Sequence, residues 1–324
     1  MRRALALLPL LAAGCAGVQT PLDPFGPQAR HLADLSWLLF LGASAIFALV
    51  LGLLAWSLLA PAGLRRAIGS RGFVVALGIA FPTTTLAALL VHTAGLSRAL
   101  VLPGAEPPLR IEVTARQYWW EVRYPDAPGE AVTANEIHLP AGREVELLLT
   151  SGDVIHSLWI PNLYGKMDMI PGRVNRLRLR AERTGVLNGH CTEFCSLQHA
   201  WMQFRAVVQD PAAFEAWLAR QQEPVPPPSG PVAARGMQVF GEAGCGACHA
   251  VRGTAWQGRL APDLSRMGSR LTLGAGMLDN HRATLAGWIA GTQDIKPGSS
   301  MPGYGRALSG EDLLALATWL GELR

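Results

Sequence analysis

Charge is missing from this sequence in two places where a soluble protein would carry it. None occurs from Leu35 to Leu64, and none from Gly72 to Ser97. Each stretch exceeds the roughly 20 apolar residues needed to cross a bilayer, so transmembrane helices are expected at 32–62 and 72–97. Buried core helices are the alternative, but uncharged runs of this length are rare in soluble cores. The five cysteines leave none spare for a disulfide: Cys15 stands alone, Cys191 and Cys195 form one pair, Cys245 and Cys248 another. No basic stripe is present, because the net charge of +4 comes from arginines scattered among nearly as many acids; nucleic acid is therefore excluded as a partner. The chain also shows no internal repeat, phosphate loop, general base or activated nucleophile, so no catalytic residue is expected.

What is present begins with a leader. "MRRALALLPLLAAGCAG" has a basic start, an apolar stretch and small residues, which reads as a signal peptide over 1–15. "AAGC" is similar to a lipoprotein cleavage box and makes Cys15 a candidate for lipidation. Between the two apolar stretches the short connection carries Arg65, Arg66 and Arg71. Arginine-rich short loops stay in the cytoplasm, which would put both termini on the periplasmic side of a bacterial inner membrane. His92 is expected near the membrane interface or against a partner helix.

Beyond the second stretch, "LRIEVTA", "EVELLL" and "NRLRLR" alternate apolar and polar residues, the period of a half-buried antiparallel sheet. Turn signals such as "PDAPGE", "PAGR" and "IPGR" separate them at the spacing of a sandwich or small barrel. This β domain is expected over 107–215, and a proline-rich linker, including "QQEPVPPPSGP", over 216–232. A helical domain follows over 233–324. In its last helix Ser309 can cap, Asp312 can complete a weak capping box, and Leu313, Leu316, Ala317 and Leu320 form an apolar face.

Two motifs carry chemistry. "CGACH", residues 245–249, is C-x-x-C-H, whose cysteines form thioethers to haem c while His249 reaches the iron. A thioredoxin-like pair would need a strand–helix context, and a zinc knuckle more ligands. Met301, in the loop before the last helix, is the expected sixth ligand, since a thioether favours reduced iron; Met267, Met277 and His281 compete with it. The second motif, "HCTEFCSLQHAWM", places Cys191, Cys195, His199 and Met202 within a few residues of one another. His156, in "GDVIHSLWIP", is the best distant partner. Met202 argues for copper over a Cys2His2 zinc site, because thioethers rarely bind zinc. A buried structural cysteine pair is disfavoured in an oxidising compartment.

With "DVIHSLWIP", "GKMDMIPGR", "CTEFCSLQHAWM" and "CGACH" in this order, the chain resembles, over essentially its whole length, subunit II of haem–copper cytochrome c oxidases, in the caa3 type with a fused C-terminal cytochrome c. The resemblance implies a multi-domain membrane protein: a two-helix transmembrane hairpin, an all-β cupredoxin-like Greek-key barrel and an all-α class I cytochrome c domain. It implies a dinuclear CuA centre with Cys191 and Cys195 bridging, His156 and His199 capping, and Met202 and the Glu193 carbonyl as weak ligands. The Glu193 side chain would bind Mg or Mn shared with subunit I. Tyr118, Trp119 and Trp120 would form the electron path. Implied partners are subunits I and III and an external donor, cytochrome c or a bc1-type complex; the implied reaction is reduction of O2 to water with proton translocation, carried out in subunit I.

Departures from the family pattern are Ser196 in place of glycine, His190 in place of glutamine and read as a loop residue, Tyr118 in place of tryptophan, and no acidic residue at the start of the second helix. Two other readings remain at this point: the equivalent subunit of a CuA-containing nitric-oxide reductase, and a Sco-like copper-delivery protein with a thioredoxin-like fold. A quinol-oxidase subunit would lack the cysteine pair.

Overall fold

In the computed structural model, which describes residues 17, 19–101 and 107–324, the uncharged stretches are helical. Helix α1 spans Pro27–Leu59, and its 33 residues would extend about 50 Å at 1.5 Å per residue. Phe40, Phe47, Leu54 and Leu58 are exposed along it, the reverse of a core helix. The second stretch runs from Arg71–Val75 through a π-helical turn, Ala76–Ala80, into helix α2, Phe81–Val101. Pro82, which has no N–H for the preceding turn, follows directly on that irregular turn. The basic connection is itself helical over Ala62–Ile68. Both long helices are apolar enough to cross a membrane by length and composition. The expected signal peptide at 1–15, with Cys15, lies outside the described residues.

The β domain consists of two five-stranded sheets. One has the order β3-β2-β1-β5-β8 and the other β4-β10-β9-β6-β7. The three alternating stretches are β1 (Leu109–Arg116), β5 (Glu144–Ser151) and β8 (Asn175–Arg180), and they lie side by side. Around them are β2 (Trp119–Tyr124), β3 (Ala131–Ala134), β4 (Glu136–Pro140), β6 (His156–Trp159), β7 (Met167–Met169), β9 (Gly185–Cys191) and β10 (Gln203–Gln209). Most pairings are antiparallel, as the alternation suggests, but the sheets are mixed, because β1 runs parallel to β5 and β4 parallel to β10. The intervening strands β2 to β4 return the chain to the same end, which parallel neighbours require. Alternation places Ile111, Val113, Val145, Leu147, Leu149, Leu177 and Leu179 in the core with Trp120 and Phe204.

Helix α3 (Pro211–Arg220) puts Phe214 and Trp217 into this same core. The linker expected from 216 therefore starts late, since Trp217 still belongs to the β domain. The helical domain carries α4 (Pro231–Glu242), α5 (Arg282–Ala290) and α6 (Gly310–Glu322). A Cβ on Gly236 would lie 2.1 Å from the Ala315 carbonyl oxygen, so only glycine lets α4 and α6 cross this closely. Ser309 caps α6 by accepting from Asp312 N at 3.0 Å. Leu316, Ala317 and Leu320 are buried as expected, with Leu313 partly so. The two domains are tied by hydrogen bonds from Gln203 N to Ala275 O (2.9 Å) and from Leu271 N to the buried Glu136 carboxylate (2.6 Å).

Candidate metal centre and adjoining cavity

Strand pairing gathers the soft donors. His156 is the first residue of β6, Cys191 the last of β9, and Met202 immediately precedes β10. The β9–β10 connection is closed by Cys191 N donating to Met202 O (3.0 Å), and Thr192 N donates to Ser157 O (3.0 Å). Cys195 and His199 sit in the loop so formed. The sulfurs of Cys191 and Cys195 are 3.8 Å apart. His156 Nδ1 lies 3.7 Å from Cys191 Sγ, and His199 Nδ1 3.7 Å from Cys195 Sγ. Met202 Sδ stands 3.9 Å from Cys195 Sγ, and Glu193 O 3.3 Å from Cys191 Sγ. Each sulfur thus has one imidazole and one weaker donor beside it. His156, Cys191, Cys195 and Met202 are all buried.

Electrostatics point the same way. A hydrogen bond from the Cys195 thiol holds Cys191 well below the ordinary thiol range; burial opposes this, and His156 reinforces it. Adjacent thiolates cannot coexist in a buried site without a cation between them. Burial disfavours protonating His156, but the Cys191 sulfur and Asp153 outweigh it and raise its pKa. Asp153 Oδ1 is 2.8 Å from His156 Nε2, leaving Nδ1 for the sulfur side. Such an outer carboxylate fixes ring orientation at metal sites. Sequence reading missed Asp153, although its place three residues before His156 was the available signal.

Ser196 has φ +92°, in the region that favours glycine. The departure from the family's glycine is thus borne by strained backbone inside the donor loop. His190 is a strand residue of β9, not a loop residue, opposite Trp159 and Gln203. Its Nε2 has no partner, and burial lowers its pKa. The Glu193 carboxylate is 3.2 Å from Lys166 Nζ, which also reaches Asp168 at 3.1 Å. Exposed carboxylates clasping an ammonium do not by themselves fit a hard divalent ion.

The helical domain opens onto a cavity of about 500 Å³ lined by Cys245, Cys248, His249 and Met301. His249 Nδ1 donates to Pro262 O at 2.7 Å, so its Nε2 keeps a free lone pair, and burial lowers its pKa. A Cβ on Gly246 would meet the Trp256 ring at 2.1 Å, which fixes the residue between the cysteines. Burial raises Cys245 to about 11. Met267 also lines the cavity, whereas His281 caps α5 and Met277 is not among the lining residues. The donor set and the apolar walls fit a haem.

The same cavity is walled on its other side by the β domain, through Gln117, Tyr118 and Trp119. Gln117 Nε2 donates to Cys195 O at 2.7 Å. One side chain thus lines the cavity and touches the backbone of a donor cysteine. Trp120, expected beside them, points into the core, 5.0 Å from Phe204 between ring centroids. Gln117 went unnoticed in the sequence because its partner is far along the chain.

The family profile described as "Cytochrome C oxidase subunit II, periplasmic domain" matches residues 128–209, and that described as "Cytochrome c" matches 233–324. A cytochrome c oxidase subunit 2 from Alkalihalophilus pseudofirmus is 33% identical over 339 residues, covering 99% of this chain and 96% of that protein. The corresponding protein of a Bacillus species (strain PS3) is 34% identical over 224 residues, 66% of this chain and 62% of its own length. Among solved structures, the periplasmic domain of subunit II of cytochrome oxidase (CoxB) of Bradyrhizobium japonicum is 30% identical, with a TM-score of 0.35, and covers 37% of this chain and 95% of that one. The two profiles imply copper and haem, a cupredoxin-like β domain and a cytochrome c domain, and the apolar helices fit a membrane protein with a periplasmic part. With a relative aligned from end to end and both folded domains matched, this chain belongs to the cytochrome c oxidase subunit 2 family, a component of haem–copper oxidases, in the form with a C-terminal cytochrome c domain.

Proposed function

We propose that this chain accepts electrons into its cytochrome domain and hands them through its copper domain to the catalytic subunit of a terminal oxidase, which reduces O2 to water and translocates protons. The observation that carries this reading is the shared wall: Gln117 lines the haem cavity and hydrogen-bonds the Cys195 carbonyl. Cys191, Cys195, His156 and His199 would hold a pair of coppers, with Met202 and the Glu193 carbonyl as weaker donors. Cys245 and Cys248 would hold the haem covalently, and His249 and Met301 would be the residues that ligate its iron. When bound, both groups supply one-electron redox chemistry, and the β scaffold already holds the copper donors close together.

The residues around the donors do distinct work. Asp153 orients His156 through a charge-assisted hydrogen bond, an interaction of roughly 1.5–3 kcal/mol. Tyr118 and Trp119 line the cavity beside Gln117 and would lie on the electron path. Glu193 would join a Mg or Mn site only with oxygen ligands from the catalytic subunit and with Lys166 displaced. Subunits I and III, a cytochrome c or bc1-type donor, an inner-membrane location with both termini periplasmic, and acylation of Cys15 complete the proposal. The alternative of a Sco-like copper-delivery protein calls for a thioredoxin-like fold, and the β domain has two facing sheets instead.

Stopped-flow reduction of the assembled complex tests the reading. The haem band should reduce first and the near-infrared copper band second, with oxygen uptake following. Gln117→Leu should slow the second phase about tenfold, the equivalent of 1.4 kcal/mol in the barrier. A copper phase that precedes the haem phase, or that is absent, contradicts the proposed order.

A further inference from the structure

Two cations are buried in the wall of the haem cavity without an anionic partner. Lys296 is 2% exposed, and its ammonium donates only to neutral carbonyls, Gly274 O at 2.6 Å and Trp201 O at 2.9 Å. Arg270 is 9% exposed, donates to Asp263 O and Met267 Sδ, and its Nε has no partner. Both side chains line the same cavity as His249 and Met301. The nearby carboxylates are engaged elsewhere. Glu136 accepts from Leu271 N and lies against His138; Asp263 accepts from Ser265 N; Asp153 holds His156 and Gln117 N. Arg116, a third cation in the wall, is paired with Glu121. Among the described residues neither Lys296 nor Arg270 forms an ion pair.

Buried charges need a counter-charge, and the cavity can take one only as part of its occupant. Elsewhere its lining is apolar, with Phe240, Leu264, Ile289 and Leu316. The occupant must therefore be an apolar body with anionic groups at one end. A haem has this form, with two propionate carboxylates on one edge.

We infer that Lys296 and Arg270 bind the haem propionates, so that the propionate edge faces the copper domain, and that Lys296 bridges this edge to the copper loop through the Trp201 carbonyl. Trp201 lies between His199 and Met202, so one ammonium touches the backbone of the copper loop and the acidic end of the haem. Lys296 and Arg270 are positioning residues: they orient the haem and raise its affinity for an electron without touching iron. This inference rests on the haem reading given under Proposed function.

The test uses the full chain in its oxidase complex. Lys296→Met and Arg270→Met should each retain covalent haem by the pyridine haemochromogen assay. Each should shift the redox equilibrium with a matched mediator roughly tenfold toward oxidised haem, the effect of removing one charge about 10 Å away at an effective dielectric near 20. Lys296→Arg should restore the equilibrium. If the methionine variants do not fold, the parent decides: with 13C-labelled propionates, redox-difference infrared spectra should show carboxylates that stay ionised below the ordinary carboxylate range. Propionates that protonate at or above that range, or methionine variants with haem attached and an unchanged equilibrium, overturn the inference alone. A purely structural Lys296 would lower the melting temperature and leave both readouts unmoved, which also overturns it. A parent chain without covalent haem overturns the underlying reading as well.

Discussion

The copper domain and the cytochrome domain hold their donors in different ways. In the copper domain the ends of three strands bring two thiols, two imidazoles and a thioether together at 3.7 to 3.9 Å, so backbone hydrogen bonds define the site. In the cytochrome domain a short motif and a distant methionine border a space of about 500 Å³. With nothing in it, such a space leaves its apolar walls, Phe240, Leu264, Ile289 and Leu316 among them, without packing partners, so an occupant that covers them stabilises the domain. The comparison teaches that the copper site is preorganised by its fold, whereas the cytochrome fold depends on its cofactor.

That difference can be broken most decisively by removing each group in turn. Chelating copper should leave the β signal in far-ultraviolet circular dichroism intact. Replacing both Cys245 and Cys248 by alanine should abolish most of the helical signal of residues 233–324. Equal losses in the two experiments would refute the comparison. A smaller effect sharpens the account of preorganisation: Asp153→Asn should weaken copper binding about 10- to 100-fold, the range for outer partners of metal ligands, measured by competition with a chelator. The haem content should stay unchanged.

The smallest effect concerns Ser196. Its positive φ stores strain of about 1 kcal/mol or more, and Ser196→Gly should release part of it. Thermal melting of the copper-free β domain within the full chain should rise by a few degrees, as about 1 kcal/mol does in a domain of this size. An unchanged or lower melting temperature would show that the loop does not bear that strain.

What could be read from the sequence was what is local. Uncharged stretches mark α1 and α2 because a bilayer tolerates no charge there, and alternation marks β1, β5 and β8 because one face is buried. C-x-x-C-H and C-x-x-x-C announce their chemistry because their donors are neighbours along the chain. Parallel pairing of β1 with β5 was not legible, since strand direction depends on how far the chain travels between them. Trp217 was hidden by the proline-rich run that follows it. Gln117 and Lys296 meet partners distant in sequence, so no spacing betrays them. Lys296 illustrates this best, because its ammonium meets Trp201 O only once the two domains have docked.

The central claim is that Cys191 and Cys195 share a pair of copper ions in a chain that also carries haem. Electron paramagnetic resonance of the purified, oxidised complex, with copper quantified per haem c, tests it most directly. The account predicts hyperfine structure from one electron shared equally over both coppers. A spectrum of a single, isolated copper would contradict it.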